Sequence, residues 1–168
     1  MRVSDIDWPN WEPEQTATLM FVQQESEVLL IRKKRGLGAG KINGPGGRIE
    51  PGETPMDCAI RETQEELLIT PRDVAPAGEL FFHAEDDMPK IHGHVFVARG
   101  FDGEPTETDE AIPIWLPIGA LPFEEMWEDD KLWLPHVLAG KHIMGWFTFE
   151  GERMLDHRVD VSARPHAG

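Results

Sequence analysis

The stretch from Lys41 to Ile69, K-I-N-G-P-G-G-R-I-E-P-G-E-T-P-M-D-C-A-I-R-E-T-Q-E-E-L-L-I, constrains this chain more than any other. Its first half carries Gly44, Gly46, Gly47 and Gly52 with Pro45 and Pro51, a composition that allows a tight path with exposed backbone. Its second half reads as a helix start, with Thr54 as N-cap, Pro55 at the first helical position and Asp57 where a capping-box acid lies. The pattern predicts a helix from there to about Leu68. At roughly 100° per residue, Met56, Ile60, Thr63 and Leu67 fall on one side, and Glu62, Glu65 and Glu66 fall together on another. One face is core and one is acid.

Like charges at these spacings repel, each pair costing roughly 0.2–0.5 kcal/mol on an exposed helix. A hard divalent cation reverses that sign, and magnesium suits it: oxygen ligands, a few carboxylates, the rest of the shell from water and substrate phosphate. Clustered Glu alone is more often a solvated acidic face. The Gly-rich segment in front strengthens the metal reading, because it brings bare backbone to the helix N-terminus.

These residues resemble the signature of the Nudix hydrolases. Gly47, Glu53, Arg61-Glu62, Glu65-Glu66 and Ile69 stand at that family's spacing. Thr63 stands where a bulky aliphatic is usual and Leu68 replaces a Gly, departures that bear on helix packing and on how the helix ends. The resemblance implies an α/β/α sandwich around a mixed β-sheet, with the signature as loop, helix, loop. It also implies magnesium, with manganese as a substitute, held by the Gly46 carbonyl, Glu62, Glu65, Glu66 and Glu110. Glu65 or Glu110 is then expected to take a proton from the attacking water, and Arg61 and Glu53 to orient the ligands.

Composition narrows the partner. Thirty-one acids against 16 Lys and Arg give a formal net charge of -15, which argues against polymeric DNA or RNA, where basic contacts to phosphate dominate. A small anionic substrate remains compatible, given metal ions and a local basic patch. The one cysteine, Cys58, excludes an intrachain disulfide and is expected to pack rather than react, consistent with a reducing, cytoplasmic setting. No stretch approaches the roughly 20 apolar residues that span a membrane, and the N-terminus lacks the pattern of a signal peptide. One domain over residues 16–161 is expected, with an irregular arm at 1–15 whose Trp8 and Trp11 can dock on the domain, a loose tail at 162–168, and a monomeric protein.

Residues Thr16–Gln23 and Glu27–Arg32 read as a hairpin turning at Gln24-Glu25-Ser26. Four cations follow, Arg32 to Arg35, as an exposed strand end or a landing site for phosphates, with Lys33 the expected pocket contact. Gly36, Gly40 and Lys41 do not make a phosphate-binding loop, since that motif needs four residues between its glycines and Ser or Thr after the Lys. Gly78–Ala84 and Lys90–Arg99 read as strands. His92 and His94 face one side of the second and can bind zinc, but no third ligand of clear spacing accompanies them, so surface or packing roles are expected. A polar loop ending near Glu110 leads to a strand at Ile112–Leu116. Phe123–Leu138 suggests a loop and second helix, and His142–Phe149 with Arg153–Val161 a closing hairpin.

The resemblance extends beyond the signature. The runs K-K-R-G-L-G-A-G-K-I-N-G, H-V-F-V, E-T-D-E, M-W-E-D-D with W-L-P, and G-W-F-T-F are similar to the MutT-homologue branch that hydrolyses oxidised purine nucleoside triphosphates such as 8-oxo-dGTP or 2-hydroxy-dATP. In that branch an Asn and two adjacent Asp hydrogen-bond the base and a Trp stacks on it; the matching positions are Asn43, Asp129, Asp130 and Trp127. Thr18, Lys33, Leu37 and Phe82 complete the expected substrate contacts, Leu37 standing where the branch has Phe and Ile91 where it has Met. Neighbouring carboxylates can share a proton, so that one accepts and the other donates. Read without the resemblance, Trp127 is a core anchor and Asp129-Asp130 a helix-start acid pair. The expected reaction yields the monophosphate and pyrophosphate; the alternatives are another nucleoside diphosphate derivative as substrate, or a non-catalytic nucleotide-binding module.

Overall fold

The computed structural model describes residues 1–165. The alternating apolar runs form β1 (Gln15–Gln24) and β2 (Glu27–Lys33), joined by a turn in which Glu25 takes a φ of 55°. There follow β3 (Ile42–Asn43), α1 (Pro55–Leu67), β4 (Ile69–Ala84), β5 (Ile91–Gly103), β6 (Ala111–Pro117), α2 (Asp130–Leu138), β7 (Lys141–Glu150) and β8 (Arg153–Ala163). The strands lie in the order β3-β2-β1-β5-β4-β7-β8, with β6 on the other edge of β2. The β1–β5 and β4–β7 pairs are parallel and the others antiparallel, which makes the sheet mixed.

A helix covers each face. On one side Trp133, Leu134, Val137 and Leu138 of α2 pack with Phe21, Leu80, Val95, Val97 and Phe147. On the other, Ala59 and Leu67 of α1, with Met56 and Ile60, pack against Met20, Leu29, Ile31, Phe96 and Ala98. This is the α/β/α sandwich expected. Side chains of a strand alternate between the two layers, which is why neighbours such as Phe96 and Val97 belong to different cores.

β1 pairs with β5 along Gln15–Val22 but touches β2 only from Val22 to Gln24, so the two strands diverge after their turn. Residues 42–49 fill the wedge. β3 pairs with β2, and then Pro45 O accepts from the Met20 N–H at 2.8 Å, Gly47 O from the Thr18 N–H at 2.9 Å, and Thr16 O from the Ile49 N–H at 2.9 Å. The Gly-rich loop is thereby laced to β1 and delivers the chain to α1. A Cβ at Gly46 would sit 1.8 Å from Thr18 O, so only glycine permits this approach, and one at Gly47 would sit 2.5 Å from the Glu62 carboxyl carbon and displace that carboxylate.

α1 begins as the sequence predicts. Thr54 Oγ1 accepts from the Asp57 N–H at 3.1 Å, and Pro55 is the first helical residue. Thr63 is buried without cost to its hydroxyl, which donates to Ala59 O at 2.8 Å. Leu68 ends the helix in the left-handed region at φ 59°, with 57% of its surface exposed.

Several boundaries differ from expectation. β4 starts at Ile69 rather than Gly78, because Pro71 and Pro76 disguise a segment that pairs with β5 alone. Its other edge meets β7 only from Gly78 onward, and prolines are tolerated on an unpaired edge. β8 continues to Ala163, and the Arg164 guanidinium donates to Val137 O and Lys141 O at 2.8 and 2.9 Å, so the expected loose tail is tied at its start. The rest of that tail, His166 to Gly168, lies outside the described residues. The N-terminal arm forms two 3-10 turns, Val3–Asp5 and Trp8–Asn10. Trp8 and Trp11 fold back onto Phe81, and the Trp11 indole N–H donates to His83 Nδ1 at 3.1 Å.

Candidate active site

A cavity opens on the α2 side of the sheet. Its floor is Ala17 and Leu19 of β1, Leu80 and Phe82 of β4, and Ile91 and Gly93 of β5; Lys33, Leu37, Asn43, Trp127, Asp129 and Asp130 also line it, with the Trp127 indole set against Gly38. All eight side chains expected to touch substrate, Thr18, Lys33, Leu37, Asn43, Phe82, Trp127, Asp129 and Asp130, line this one cavity. Met88 and Pro89 also line it; they come from the polar turn between β4 and β5, where no sequence signal marks them.

The polar end of the cavity is built at the start of α2. Asp129 accepts from the Trp133 indole N–H at 2.8 Å, one helical turn along, and both groups are buried. Burial raises the Asp129 carboxyl to about 6 against the hydrogen bond from Trp133. Burial raises Asp130 further, because the Asp129 charge beside it disfavours a second anion. One proton therefore stays on the pair. Asp130 Oδ2 is buried with no hydrogen-bond partner. Trp127 stands between Phe149, whose ring centre is 6.2 Å away, and Lys41, whose ammonium lies 5.2 Å from the indole.

The acids of α1 occupy the other side of the Gly-rich loop. Arg61 is their hub: its guanidinium donates to both oxygens of Glu53 at 2.6 and 3.0 Å, to Glu62 at 3.0 Å, and to both oxygens of Glu65 at 3.3 Å. The hydrogen bonds from Arg61 hold the Glu53 carboxyl down to about 2. Glu66 is different. It is buried, accepts the Gly46 N–H at 2.9 Å, and burial pushes its carboxyl up to about 8. Burial raises Glu62 as well, against the pull of Arg61. Glu110 is held below the usual range by the Arg35 guanidinium that hydrogen-bonds it.

The expected metal ligands are thus neighbours that have not converged. Glu62 and Glu65 are turned to Arg61, Glu66 to a backbone N–H, and Glu110 to Arg35, as separated like charges find local donors. Of the four consecutive cations, Arg32 pairs with Glu125, Lys34 with Glu107 and Arg35 with Glu110. Lys33 forms no ion pair among the described residues; it lines the cavity and feels the charges of Glu66 and Glu110. Cys58 is buried, in contact with Thr18 Oγ1 at 3.4 Å, and burial raises its thiol, which suits packing. The donors that do converge lie elsewhere: Glu79 joins His92 and His94, a third ligand that only the β4–β5 register reveals.

The NUDIX domain pattern matches residues 13–137. The chain is 41% identical over 144 residues to an oxidized purine nucleoside triphosphate hydrolase of Danio rerio, covering 85% of this chain and 92% of that one. To the protein of the same description from Mus musculus it is 38% identical over 135 residues, 80% of this chain and 86% of the other. Among solved structures it is similar to a MutT protein from Bacillus halodurans at 26% identity and a TM-score of 0.78, covering 87% of this chain and 97% of that one. The matched pattern spans most of the chain, and this protein belongs to the Nudix domain family.

Proposed function

We propose that this protein hydrolyses oxidised or alkylated purine nucleoside triphosphates, such as 8-oxo-dGTP or 2-hydroxy-dATP, to the monophosphate and pyrophosphate, and so keeps damaged bases out of the nucleotide pool. The observation that carries the reading is the cavity itself. An indole lines it together with a buried acid pair that holds one proton and leaves Asp130 Oδ2 unpartnered among the described residues. Stacking is worth roughly 1–3 kcal/mol per base but scarcely discriminates. Selection falls to the polar groups: Asp129 as acceptor, protonated Asp130 as donor, and Asn43, whose Oδ1 is already engaged by the Gly44 N–H at 2.8 Å, as donor through its amide nitrogen. The chain's likeness to relatives described as oxidized purine nucleoside triphosphate hydrolases supports the same substrate class.

The Gly-rich loop and α1 fit a divalent cation. Glu66 is buried with its carboxyl forced up to about 8, Glu62 is raised beside it, and the missing Cβ of Gly47 leaves the Glu62 carboxylate room. The Gly46 carbonyl, Glu62, Glu65, Glu66 and Glu110 would hold magnesium, with manganese as a substitute. When bound, the ion neutralises phosphate charge and lowers the pKa of water that attacks phosphorus. Lys33, without an ion-pair partner among the described residues and lining the cavity, receives the phosphates. Glu65 or Glu110 takes the proton from the attacking water, and Arg35 keeps the Glu110 carboxyl low. Arg61 and Glu53 position the carboxylates around them.

The test is a substrate profile in magnesium: 8-oxo-dGTP, 2-hydroxy-dATP, O6-methyl-dGTP, dGTP, dATP and ADP-ribose, with monophosphate and pyrophosphate release followed. A modified purine triphosphate hydrolysed in clear preference to its parent supports the reading. Preference for ADP-ribose, or no hydrolysis of any of them, overturns it.

A further inference from the structure

On the α1 side of the sheet, away from the cavity, Glu79, His92 and His94 form a cluster that the hydrolytic reading does not use. Glu79 on β4 lies directly opposite His94 on β5, and His92 is two residues further along the same face. One donor atom from each comes within 4.8 Å of the other two, and His92 Nε2 is already 2.8 Å from Glu79 Oε1. A tetrahedral ion with bonds of about 2.0–2.1 Å brings its donors to roughly 3.4 Å of one another, a closure within the reach of small side-chain rotations.

The rings are held for it. His92 stacks on Phe81 with centres 4.6 Å apart and planes 12° apart, and Phe81 stacks on Trp146 at 5.9 Å, which in turn carries Arg158. His94 sits 4.4 Å from His92. The three ligands are only half-buried, so an ion and a water can enter. Two imidazoles and one carboxylate form the nitrogen-rich donor set that zinc takes and magnesium avoids.

We propose that Glu79, His92 and His94 bind a zinc-class divalent ion, at a site separate from the acids of α1 and chemically distinct from them. Through β4 and β5 the ion cross-links the strands on which the N-terminal arm rests, since Trp8 and Trp11 pack on Phe81. Oxygen ligands at α1 and nitrogen ligands here partition the two metals by hardness.

Cobalt(II) is the probe, because tetrahedral cobalt absorbs strongly in the visible and an octahedral all-oxygen site does not. Titrated into the full chain, cobalt is expected to develop tetrahedral bands that saturate at stoichiometry, are bleached by zinc, and persist in Glu66→Gln. The bands should vanish in His92→Ala and in His94→Ala; should His94→Ala fail to fold, Glu79→Gln tests the same cluster from the more exposed side. Absence of the bands, their survival in the His92 and Glu79 variants, or their loss in Glu66→Gln overturns the proposal.

Discussion

The cavity and the acidic face of α1 both bury carboxyl groups, and they differ in what neutralises them. In the cavity the remedy is a proton: Asp129 and Asp130 are adjacent, deeply buried, and supplied with one indole donor, so Asp130 stays protonated and becomes a hydrogen-bond donor. Beside the Gly-rich loop Glu66 has a single backbone N–H, and Arg61 is spent on Glu53, Glu62 and Glu65. A proton would satisfy Glu66 too, up to about pH 8, but it would remove the charge a cation needs. The same functional group is therefore proposed to read a base at one end of the site and to hold a metal at the other.

Paired amide substitutions break this comparison most sharply. Glu66→Gln removes a charge the proposed chemistry needs, and kcat is expected to fall by roughly 10²–10⁴-fold, the range typical of a displaced catalytic group, with the far-UV spectrum unchanged. Asp130→Asn imitates the protonated acid and keeps a donor, so kcat/KM is expected to stay within about tenfold of the parent, the scale of one neutral hydrogen bond. Equal losses in steady-state kinetics would mean that Asp130 acts as an anion, and the contrast between the two regions would be gone.

Trp127→Ala comes next in size. Losing a stacked base face should lower kcat/KM by about 5- to 150-fold, corresponding to roughly 1–3 kcal/mol. The loss should be similar for oxidised and normal purines, because an indole face does not distinguish them. A substrate-dependent loss measured across the same nucleotides would assign selectivity to the Trp instead of to the acids.

Metal-dependent stability sharpens the other half. Glu66 ionises near 4.5 in the unfolded chain and near 8 in the folded one, so the folded state binds the extra proton between those values. Metal-free protein should accordingly lose stability as pH rises through that window. Magnesium held at Glu66 as proposed would bind the ionised form, and the rise in Tm it produces should be larger near pH 8 than near pH 5.5. A magnesium effect independent of pH, measured by thermal melts, would place the ion away from Glu66.

The sequence exposed these regions unevenly. Apart from Lys33, marked by its run of cations, the pocket residues scattered from Thr18 to Asp130 are nameable only through family resemblance, without which Trp127 reads as a core anchor. The α1 helix was legible from local chemistry, since Thr54, Pro55 and the spacing of the acids act within a few residues. What stayed hidden was set by partners distant in the chain. β4 from Ile69 to Ala77 was masked by prolines that only an edge position tolerates, and Arg35 on Glu110 links residues that no local rule pairs. Glu79 becomes a neighbour of His92 and His94 through strand register, which no local pattern specifies.

The smallest effect belongs to a residue in neither region. Leu68 ends α1 in the left-handed conformation, which costs an L-residue with a Cβ roughly 1–2 kcal/mol, and its side chain recovers little because more than half of it is in water. Its N–H still bonds to Gln64 O at 2.9 Å, so the helix end is closed in the usual way and only the residue type is wrong for it. Leu68→Gly relieves the strain but frees the unfolded chain, and the net gain should be about 0.5–1 kcal/mol, a Tm rise of a few degrees. Turnover should not move, because the acids of α1 are fixed by Arg61 and the Gly-rich loop, on the other side of the helix end. A drop in kcat with the rise in Tm would show that the strained end sets the position of Glu65 and Glu66, joining helix termination to the chemistry.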